Sequence, residues 1–302
     1  MTYCKTNGFL AALIIASGVA VSAHAEEKPE APYVVVFEYQ KNAGAQGSVD
    51  PLFILQDGKP GPLPFEGRKG EIEKTLGAFA HKEYPVGRVL RVFEGGQLLR
   101  GVAVDSGLDD MAFIDANPIL SSVNVRDAGV VLHGSEYALA TNTPYPSTLD
   151  FRRRPLNTDE HGQVMAAARR IYAQDGLPPA VIADMKIERA ESYSSADRGS
   201  SLVFASLTTA TSQEKPAEHE RALFLILKKS AGDKFNVAYH NVTPAEGPER
   251  KAEEIVDLFD IDKDGAPEAI TRTHYWESWE YNIRRENGGA WDIIYTGAAD
   301  GV

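Results

Sequence analysis

Short runs of apolar residues, many of them β-branched or aromatic, dominate the first half of the chain. Such runs predict β-strands where turn residues bound them. Asp57-Gly58 and Glu94-Gly95-Gly96 supply two of these boundaries, because glycine and aspartate tolerate the positive φ that tight turns require. The predicted strands cover residues 33–37, 52–55, 88–93, 97–104, 130–132 and 137–140.

Two other segments carry apolar residues at helical spacing. Between residues 72 and 79 the apolar positions fall at i, i+4 and i+7, which predicts a short helix with one buried stripe. A longer helix is predicted over residues 157–175, because Asn157 and Glu160 have the form of a capping box and an apolar stripe follows them. Gly176 and the two prolines after it end this helix.

From about residue 181 onward the chain repeats its own pattern. Gly199 aligns with Gly265, and Gly232 aligns with Gly288, at two different offsets. The first copy therefore contains a longer loop. Each copy predicts a strand, a turn at glycine, a second strand and a hairpin of two more strands. A unit of about 60 residues cannot bury its own apolar face, so each copy is expected to pack on a neighbour.

These patterns predict a mainly β protein with a few helices, of the α+β class. Residues 1–25 form an export signal and residues 26–156 an N-terminal β unit. Residues 157–180 form a connecting helix, and residues 181–302 contain the two β repeats.

The first 25 residues have the three parts of a secretory signal. Lys5 supplies the positive end, residues 9–21 are apolar or small, and Ala23-His24-Ala25 has the small-x-small form of a cleavage site. The apolar run is too short for a stable membrane-spanning helix, and no later stretch approaches about 18 apolar residues. We therefore expect a periplasmic or secreted protein without an integral membrane segment. A permanent N-terminal anchor is the alternative.

Charge and cysteine content exclude several classes of function. The chain has 43 acidic and 31 basic residues, for a net charge of −12, which repels nucleic acid and anionic lipid. The single cysteine, Cys4, precedes the apolar run, so the expected mature chain has no disulfide and no cysteine nucleophile. Its fold has to rest on its core or on bound ions. The basic cluster Arg152-Arg153-Arg154 is interpreted as a surface run, with a phosphate or headgroup site as the alternative.

The strongest chemical signal is the nine-residue segment 260–268, Asp-Ile-Asp-Lys-Asp-Gly-Ala-Pro-Glu. Carboxylates at positions 1, 3 and 5 of a tight loop converge on one side, and glycine at position 6 reverses the backbone. Position 7 offers its carbonyl, and the acid at position 9 closes the shell directly or through water. Hard oxygen donors in this number select Ca²⁺ over Mg²⁺. The predicted metal ligands are Asp260, Asp262, Asp264, Ala266 and Glu268.

Two families of calcium loop use this spacing. An EF-hand requires an apolar residue at position 8 and a glutamate at position 12, where this chain has Pro267 and Thr271. The segment after the loop also has the pattern of a strand instead of the outgoing helix, so the EF-hand is the weaker match. The loop instead resembles the FG-GAP or VCBS-type calcium loop, which lies between strands in integrin-like propeller blades.

The resemblance covers roughly residues 181–302 and implies blade-like β structure. It implies calcium binding at Asp260, Asp262, Asp264 and Glu268, and it implies no catalytic activity. The continuation of the loop is similar to the C-terminal module of bacterial exported proteins of uncharacterised function. The residues that carry this similarity are Trp276, Trp279, Tyr281, Gly288, Gly289, Trp291 and Tyr295.

The upstream copy departs from the calcium pattern. Opposite the four acids stand Ser194, Ala196, Arg198 and Leu202, so that loop is predicted to be free of metal. The alternative interpretation of residues 260–268 is an acidic turn that merely joins two strands.

Other candidates for chemistry favour structural roles. The aromatic run between residues 275 and 281 has the composition to stack on a sugar or a peptide, yet packing between β layers is the favoured interpretation. The histidines lack metal-ligand spacing, and Ser135 lacks the strand–turn–helix context of a hydrolase nucleophile.

The sequence therefore predicts an exported, non-enzymatic binding or scaffolding protein of the cell envelope or extracellular space, with one structural calcium site. Its ligand would be an unknown protein or carbohydrate. A secreted or periplasmic hydrolase that uses calcium as a structural ion is the alternative, and a passive structural module is a third possibility.

The signal pattern leads to a direct test. We expect the mature protein to begin at or within a few residues of Glu26, because cleavage follows the small-x-small site. Intact-mass measurement of protein recovered from its native host checks this, and retention of residues 1–25 would contradict it.

Overall fold

Hydrogen-bonded β-strands make up most of this protein, in agreement with the β-rich class that the sequence predicts. The computed structural model describes residues 33–42, 46–64, 69–105, 113–114, 117–118, 123–127, 129–195, 197, 199–209, 220–229, 234–245, 251–276 and 278–301. The predicted signal at residues 1–25 lies outside the described residues. The segment Tyr33–Val302 forms one compact unit, so the predicted division into an N-terminal and a C-terminal part stays a prediction.

The first half of the chain builds a closed antiparallel barrel. Its elements are β1 (Val34–Lys41), β2 (Gln46–Gln56), β3 (Lys59–Gly61), α1 (Lys69–Glu83), β4 (Val89–Glu94), β5 (Gln97–Val104), β6 (Phe113–Ile114), β7 (Asn117–Pro118), β8 (Val123–Arg126) and β9 (Tyr137–Thr141). Six strands follow the order β1-β9-β4-β5-β8-β2, and β2 pairs back onto β1 to close the ring. The strand β3 extends β2, while β6 and β7 pair only with each other.

The barrel core combines inward-facing strand residues with the apolar stripe of α1. Val35, Phe37 and Tyr39 alternate along β1 and are fully buried, as a strand with one face in the core requires. Leu76 and Phe79 of α1 join the same core, which confirms the predicted short helix.

Five of the six predicted strands in this half coincide with β1, β2, β4, β5 and β9. The strand predicted at residues 130–132 is wrong, because these residues form a loop. The carboxylate of Asp127 accepts the backbone N–H of Val130 at 2.6 Å. This local side-chain bond replaces a sheet hydrogen bond, while the Val130 side chain still reaches the barrel core.

The second half of the chain builds two antiparallel meanders. Its elements are β10 (Arg152–Arg154), α2 (Thr158–Gln174), α3 (Pro179–Ala183), β11 (Met185–Ser195), β12 (Ser200–Thr209), β13 (Arg221–Lys229), β14 (Phe235–Pro244), β15 (Ala252–Phe259), β16 (Glu268–His274), β17 (Ser278–Asn287) and β18 (Ala290–Gly301). One sheet has the order β10-β11-β12-β13-β14, and the other has the order β15-β16-β17-β18.

Helix α2 confirms the helix predicted over residues 157–175, and its N-terminus has the predicted capping box. The Asn157 side chain accepts the N–H of Glu160 at 2.9 Å, and the Glu160 carboxylate accepts the N–H of Asn157 at 3.0 Å. Its buried face packs on the five-stranded sheet, in one core with residues of β12 and β13.

The four-stranded sheet is the middle layer of the molecule. Along β15, Val256 and Phe259 point into a core shared with the barrel, whereas Ile255 and Leu258 point into a core shared with the five-stranded sheet. Adjacent residues of a strand point to opposite faces, and the register shift between Ile255 and Asp257 places residues three apart on the same face. The largest residue of the second core, Trp291, is only 2% exposed and makes an edge contact with Phe204.

A buried arginine connects the barrel, the five-stranded sheet and the middle sheet. The side chain of Arg153 on β10 is 0% exposed, so the surface interpretation of the arginine cluster is wrong for its central member. Its Nη2 lies 2.8 Å from Oε1 of Glu94 in the barrel. Its Nη1 lies 3.7 Å from Glu191 on β11 and 3.9 Å from Asp257 on β15. The guanidinium of Arg153 thus pairs with one carboxylate from the barrel, one from the five-stranded sheet and one from the middle sheet.

This arrangement predicts that Arg153→Met strongly destabilises the protein. The substitution leaves three buried carboxylates without their shared cation, and breaking a buried pair costs about 3–5 kcal/mol. Urea unfolding followed by circular dichroism measures the loss. Arg152→Met is the matched control, because Arg152 is the exposed neighbour on the same strand and its replacement should change stability by about 0.5 kcal/mol or less. Equal unfolding midpoints for the two variants would contradict the role given to Arg153.

Candidate functional site

The acidic loop predicted from the sequence joins β15 to β16 at one end of the middle sheet. Asp260 follows the last residue of β15, and Glu268 is the first residue of β16. Both side chains belong to residues that are 0% exposed. Gly265 has a φ of 84°, a left-handed conformation that glycine adopts without strain, and it provides the backbone reversal that the pattern predicts.

Three carboxylates of this loop converge. Asp260, Asp262 and Glu268 each offer an oxygen, and these oxygens all lie within 4.8 Å of one another. Oxygens on opposite sides of a Ca²⁺ ion are about 4.6–5.2 Å apart, given Ca–O distances of 2.3–2.6 Å. The donors are all hard oxygens, which suit calcium. Spacing and donor chemistry therefore fit a calcium ion.

The other two predicted ligands, Asp264 and Ala266, lie beside this group. Asp264 is exposed, and its Oδ1 accepts the backbone N–H of Ala266 at 2.7 Å. The backbone N–H of Asp264 in turn donates to Oδ1 of Asp262 at 3.3 Å. The structure brings three of the five predicted ligands together, and metal binding by all five stays a prediction.

A cation of the protein itself reaches two of the three carboxylates. Arg285 on β17 lies directly opposite Glu268 in the register of the two strands. Its Nε donates to Oε1 of Glu268 at 2.7 Å, and its Nη2 lies 2.7 Å from Oδ2 of Asp262. Sequence reasoning missed Arg285, because the spacing of the loop carries no information about which residue of β17 faces it.

The loop is also held from outside by the segment before β10 and by a turn of the barrel. Thr148 donates its hydroxyl to Oδ2 of Asp260 at 2.7 Å, and the hydroxyl of Tyr145 donates to the carbonyl of the next loop residue. A Cβ on Gly58, in the turn between β2 and β3, would lie 3.1 Å from the Cα of Asp262. The acidic loop is therefore packed against the barrel.

Burial raises the pKa of Glu268 to about 7, even though the N–H of Ile261 and the charge of Arg285 act in the opposite direction. A carboxylate binds a metal ion only when it is deprotonated. Any calcium affinity of this loop should therefore decline as the pH falls below neutral.

The equivalent turn of the first meander has a different geometry. Ser195 pairs with Ser200 across the β11–β12 hairpin, whereas Phe259 pairs with Glu268 in the second meander. Ser194 and Leu202 lie within the strands, and Ala196 and Arg198 fall outside the described residues. The paired strand ends are thus separated by four residues in the first meander and by eight in the acidic loop.

A second candidate is a charged cleft of about 550 Å³ where the three sheets meet. Glu254 on β15 is its central carboxylate, with Arg272 at 2.6 Å, Arg189 at 3.3 Å and Nε2 of His274 at 2.9 Å. The guanidinium groups of Arg189 and Arg272 each lie 4.6 Å from the centroid of the Tyr137 ring. The sequence did not point to this cleft, because its members come from separate strands.

The chemistry of the cleft favours a structural ion network. Burial raises the pKa of Glu254, but the hydrogen bond from His274 and the charges of Arg272 and Arg189 outweigh it and bring the pKa to about 2. A carboxylate that stays ionised at neutral pH does not act as a general acid. Its neighbour Glu253 is held by the guanidinium of Arg284 at 2.5 and 2.8 Å.

Comparison of the chain with protein-family models, with curated proteins and with solved structures found no significant match. Within the described part of the chain, no helix combines the length and the apolar character that crossing a membrane requires.

Asp257, one of the three buried carboxylates around Arg153, makes the stability of the protein depend on pH. Its Oδ1 accepts the N–H groups of Gly95 at 3.0 Å and Leu258 at 2.8 Å. Burial raises the pKa of Asp257 to about 7, against the charge of Arg153 and the two N–H donors. Between the unfolded pKa of about 4 and this value, the folded protein holds a proton that the unfolded chain releases.

The stability contributed by Asp257 should therefore fall as the pH rises from about 4 to about 7, by no more than about 1.4 kcal/mol per pH unit. We expect Asp257→Asn to show a flatter pH dependence than the unsubstituted protein in urea unfolding between pH 5 and pH 8. Asp292→Asn, at an exposed position of β18, is the control and should leave the slope unchanged. Parallel slopes for all three proteins would contradict the assignment.

Proposed function

We propose that this chain is an exported, non-enzymatic binding or scaffolding protein of the cell envelope or extracellular space, stabilised by Ca²⁺ at the acidic loop. The observation that carries the calcium proposal is the convergence of three carboxylates, with two of their residues fully buried. Export is supported by the signal pattern in the sequence. A fold without disulfides gains from an ion that ties strands together.

The ion would bind to a loop that contacts several parts of the fold. The loop contacts the barrel through Gly58 and the segment before β10 through Thr148, and it joins two strands of the middle sheet. Neutralising its carboxylates would stabilise each of these contacts at once. The residues that would hold the ion are Asp260, Asp262 and Glu268, with Asp264 and the Ala266 carbonyl as further predicted ligands.

The two meanders support the relationship to FG-GAP or VCBS-type repeats. Strands β11 to β14 and strands β15 to β18 are both four-stranded antiparallel meanders, and their first turns contain the aligned glycines Gly199 and Gly265. The acidic loop lies between the first two strands of the second meander, where such a repeat places its calcium loop. We propose that the first meander is a degenerate copy without an ion.

A binding role fits the described surface better than hydrolysis does. Trp276 is 57% exposed at the turn between β16 and β17, and an exposed aromatic ring can stack on a sugar or a peptide. The specific observation in favour of a hydrolase is the cleft, with Glu253, Glu254 and His274 among its lining residues. Both glutamates are already bound by arginines, which argues for the binding role.

Calcium should stabilise the protein by a modest amount. Extracellular calcium modules bind with Kd of about 10⁻⁴ to 10⁻³ M, so about 1 mM free calcium contributes about 0.4–1.4 kcal/mol. For a protein of this size, the melting temperature should rise by a few degrees at most. Thermal melts in EDTA and in millimolar CaCl₂ measure the rise, and Mg²⁺ should produce a smaller one.

Asp260→Asn should abolish this calcium response, because it removes a charged ligand while keeping the size of the side chain. Ser194→Ala, in the first meander, is the control and should leave the response intact. A melt of each variant in EDTA establishes that it is folded. An unchanged melting temperature of the unsubstituted protein, with no calcium heat in calorimetry, would mean that the loop is only an acidic turn.

A further inference from the structure

The carboxylates of Asp260, Asp262 and Glu268 already contact hydrogen-bond donors. Two of these donor groups belong to the side chain of Arg285. Asp260 accepts bonds from Thr148 and from the N–H of Gly265, which are fixed by packing and by the loop. Glu268 and Asp262 each accept one bond from a backbone N–H and one contact from Arg285. The guanidinium of Arg285 thus covers one oxygen of each of these two carboxylates.

We propose that Arg285 is a tethered competitor of calcium, which neutralises Asp262 and Glu268 without an ion and leaves them when Ca²⁺ binds. This inference rests on the calcium site proposed above. A calcium ion takes six to eight oxygens and often binds a carboxylate through both of its oxygens. It therefore needs the oxygens that Arg285 covers, and a guanidinium held at 2.7 Å from them would face the ion at close range.

The position of Arg285 allows its guanidinium to move away from Asp262 and Glu268. Its side chain is 32% exposed, and it lies on β17 beside the loop, so the guanidinium can swing to solvent without disturbing the core. The neighbouring cation Lys263 is directed elsewhere, with its Nζ 4.8 Å from the centroid of the Tyr145 ring. Competition of this kind weakens calcium binding and confines the response to the high concentrations found outside cells.

The test compares the unsubstituted protein with Arg285→Gln, both stripped with EDTA and titrated with CaCl₂ in a calorimeter at fixed ionic strength. We expect the variant to bind calcium about tenfold more tightly, because the ion no longer displaces a cation. In EDTA the variant should melt at a lower temperature than the unsubstituted protein, since its carboxylates lack a partner. At saturating calcium this difference should shrink or reverse.

Arg88→Gln is the matched control. Arg88 is 29% exposed and pairs with Glu83, which is 2% exposed, so its surroundings resemble those of Arg285 and Glu268. The control should lose similar stability with and without calcium, and its calcium Kd should equal that of the unsubstituted protein. Arg285→Lys keeps the charge but not the two-point contact, and its Kd should fall between those of the arginine and glutamine proteins.

The outcomes separate the two proposals. Calcium binding with the same Kd in the unsubstituted protein and in Arg285→Gln would overturn the competition and leave the calcium site standing. Calcium heat in neither protein would overturn both. A direct readout is the Nε–H resonance of Arg285 in ¹⁵N-labelled protein, which should shift and exchange faster with water on calcium addition. A resonance that is unchanged at saturating calcium would also overturn the competition.

Discussion

A single buried guanidinium, that of Arg153, connects the barrel, the five-stranded sheet and the middle sheet of this protein. A buried cation is costly unless carboxylates surround it, and here they come from the barrel, the five-stranded sheet and the middle sheet. Each carboxylate is buried as well, and the guanidinium has all three around it only when the barrel, the five-stranded sheet and the middle sheet have docked. The charges therefore specify one arrangement of the sheets, and the apolar cores on both faces of the middle sheet supply the burial that holds it.

The chain segment that contains Arg153 also connects it with the candidate calcium site. Residues 145–148 contact the acidic loop, and five residues later the chain places Arg153 in the interior. On the middle sheet, Asp257 pairs with Arg153, and Asp260 begins the acidic loop three residues later. A change at the loop is therefore close to the contacts that fix the sheets, which is why we assign calcium a stabilising role there.

Local patterns predicted local structure well. The capping box at Asn157 located α2, and the glycine-containing hairpins and the acidic loop were found where the turn residues placed them. Contacts between distant strands were not predictable from one sequence. Three consecutive arginines resemble a surface run, yet the alternation of a strand sends the middle one inward. The closure of the barrel by β1 and β2, and the register that sets Arg285 opposite Glu268, likewise depend on pairings that spacing within a segment does not encode.

The buried charges and the two-sided middle sheet make the barrel and the meanders one cooperative unit. Differential scanning calorimetry of the protein without residues 1–25, in EDTA, measures this most directly. One transition, with a calorimetric enthalpy equal to the van't Hoff enthalpy, is the predicted result. Two separate transitions, or a calorimetric enthalpy well above the van't Hoff value, would show that the N-terminal and C-terminal parts unfold independently and would contradict the account.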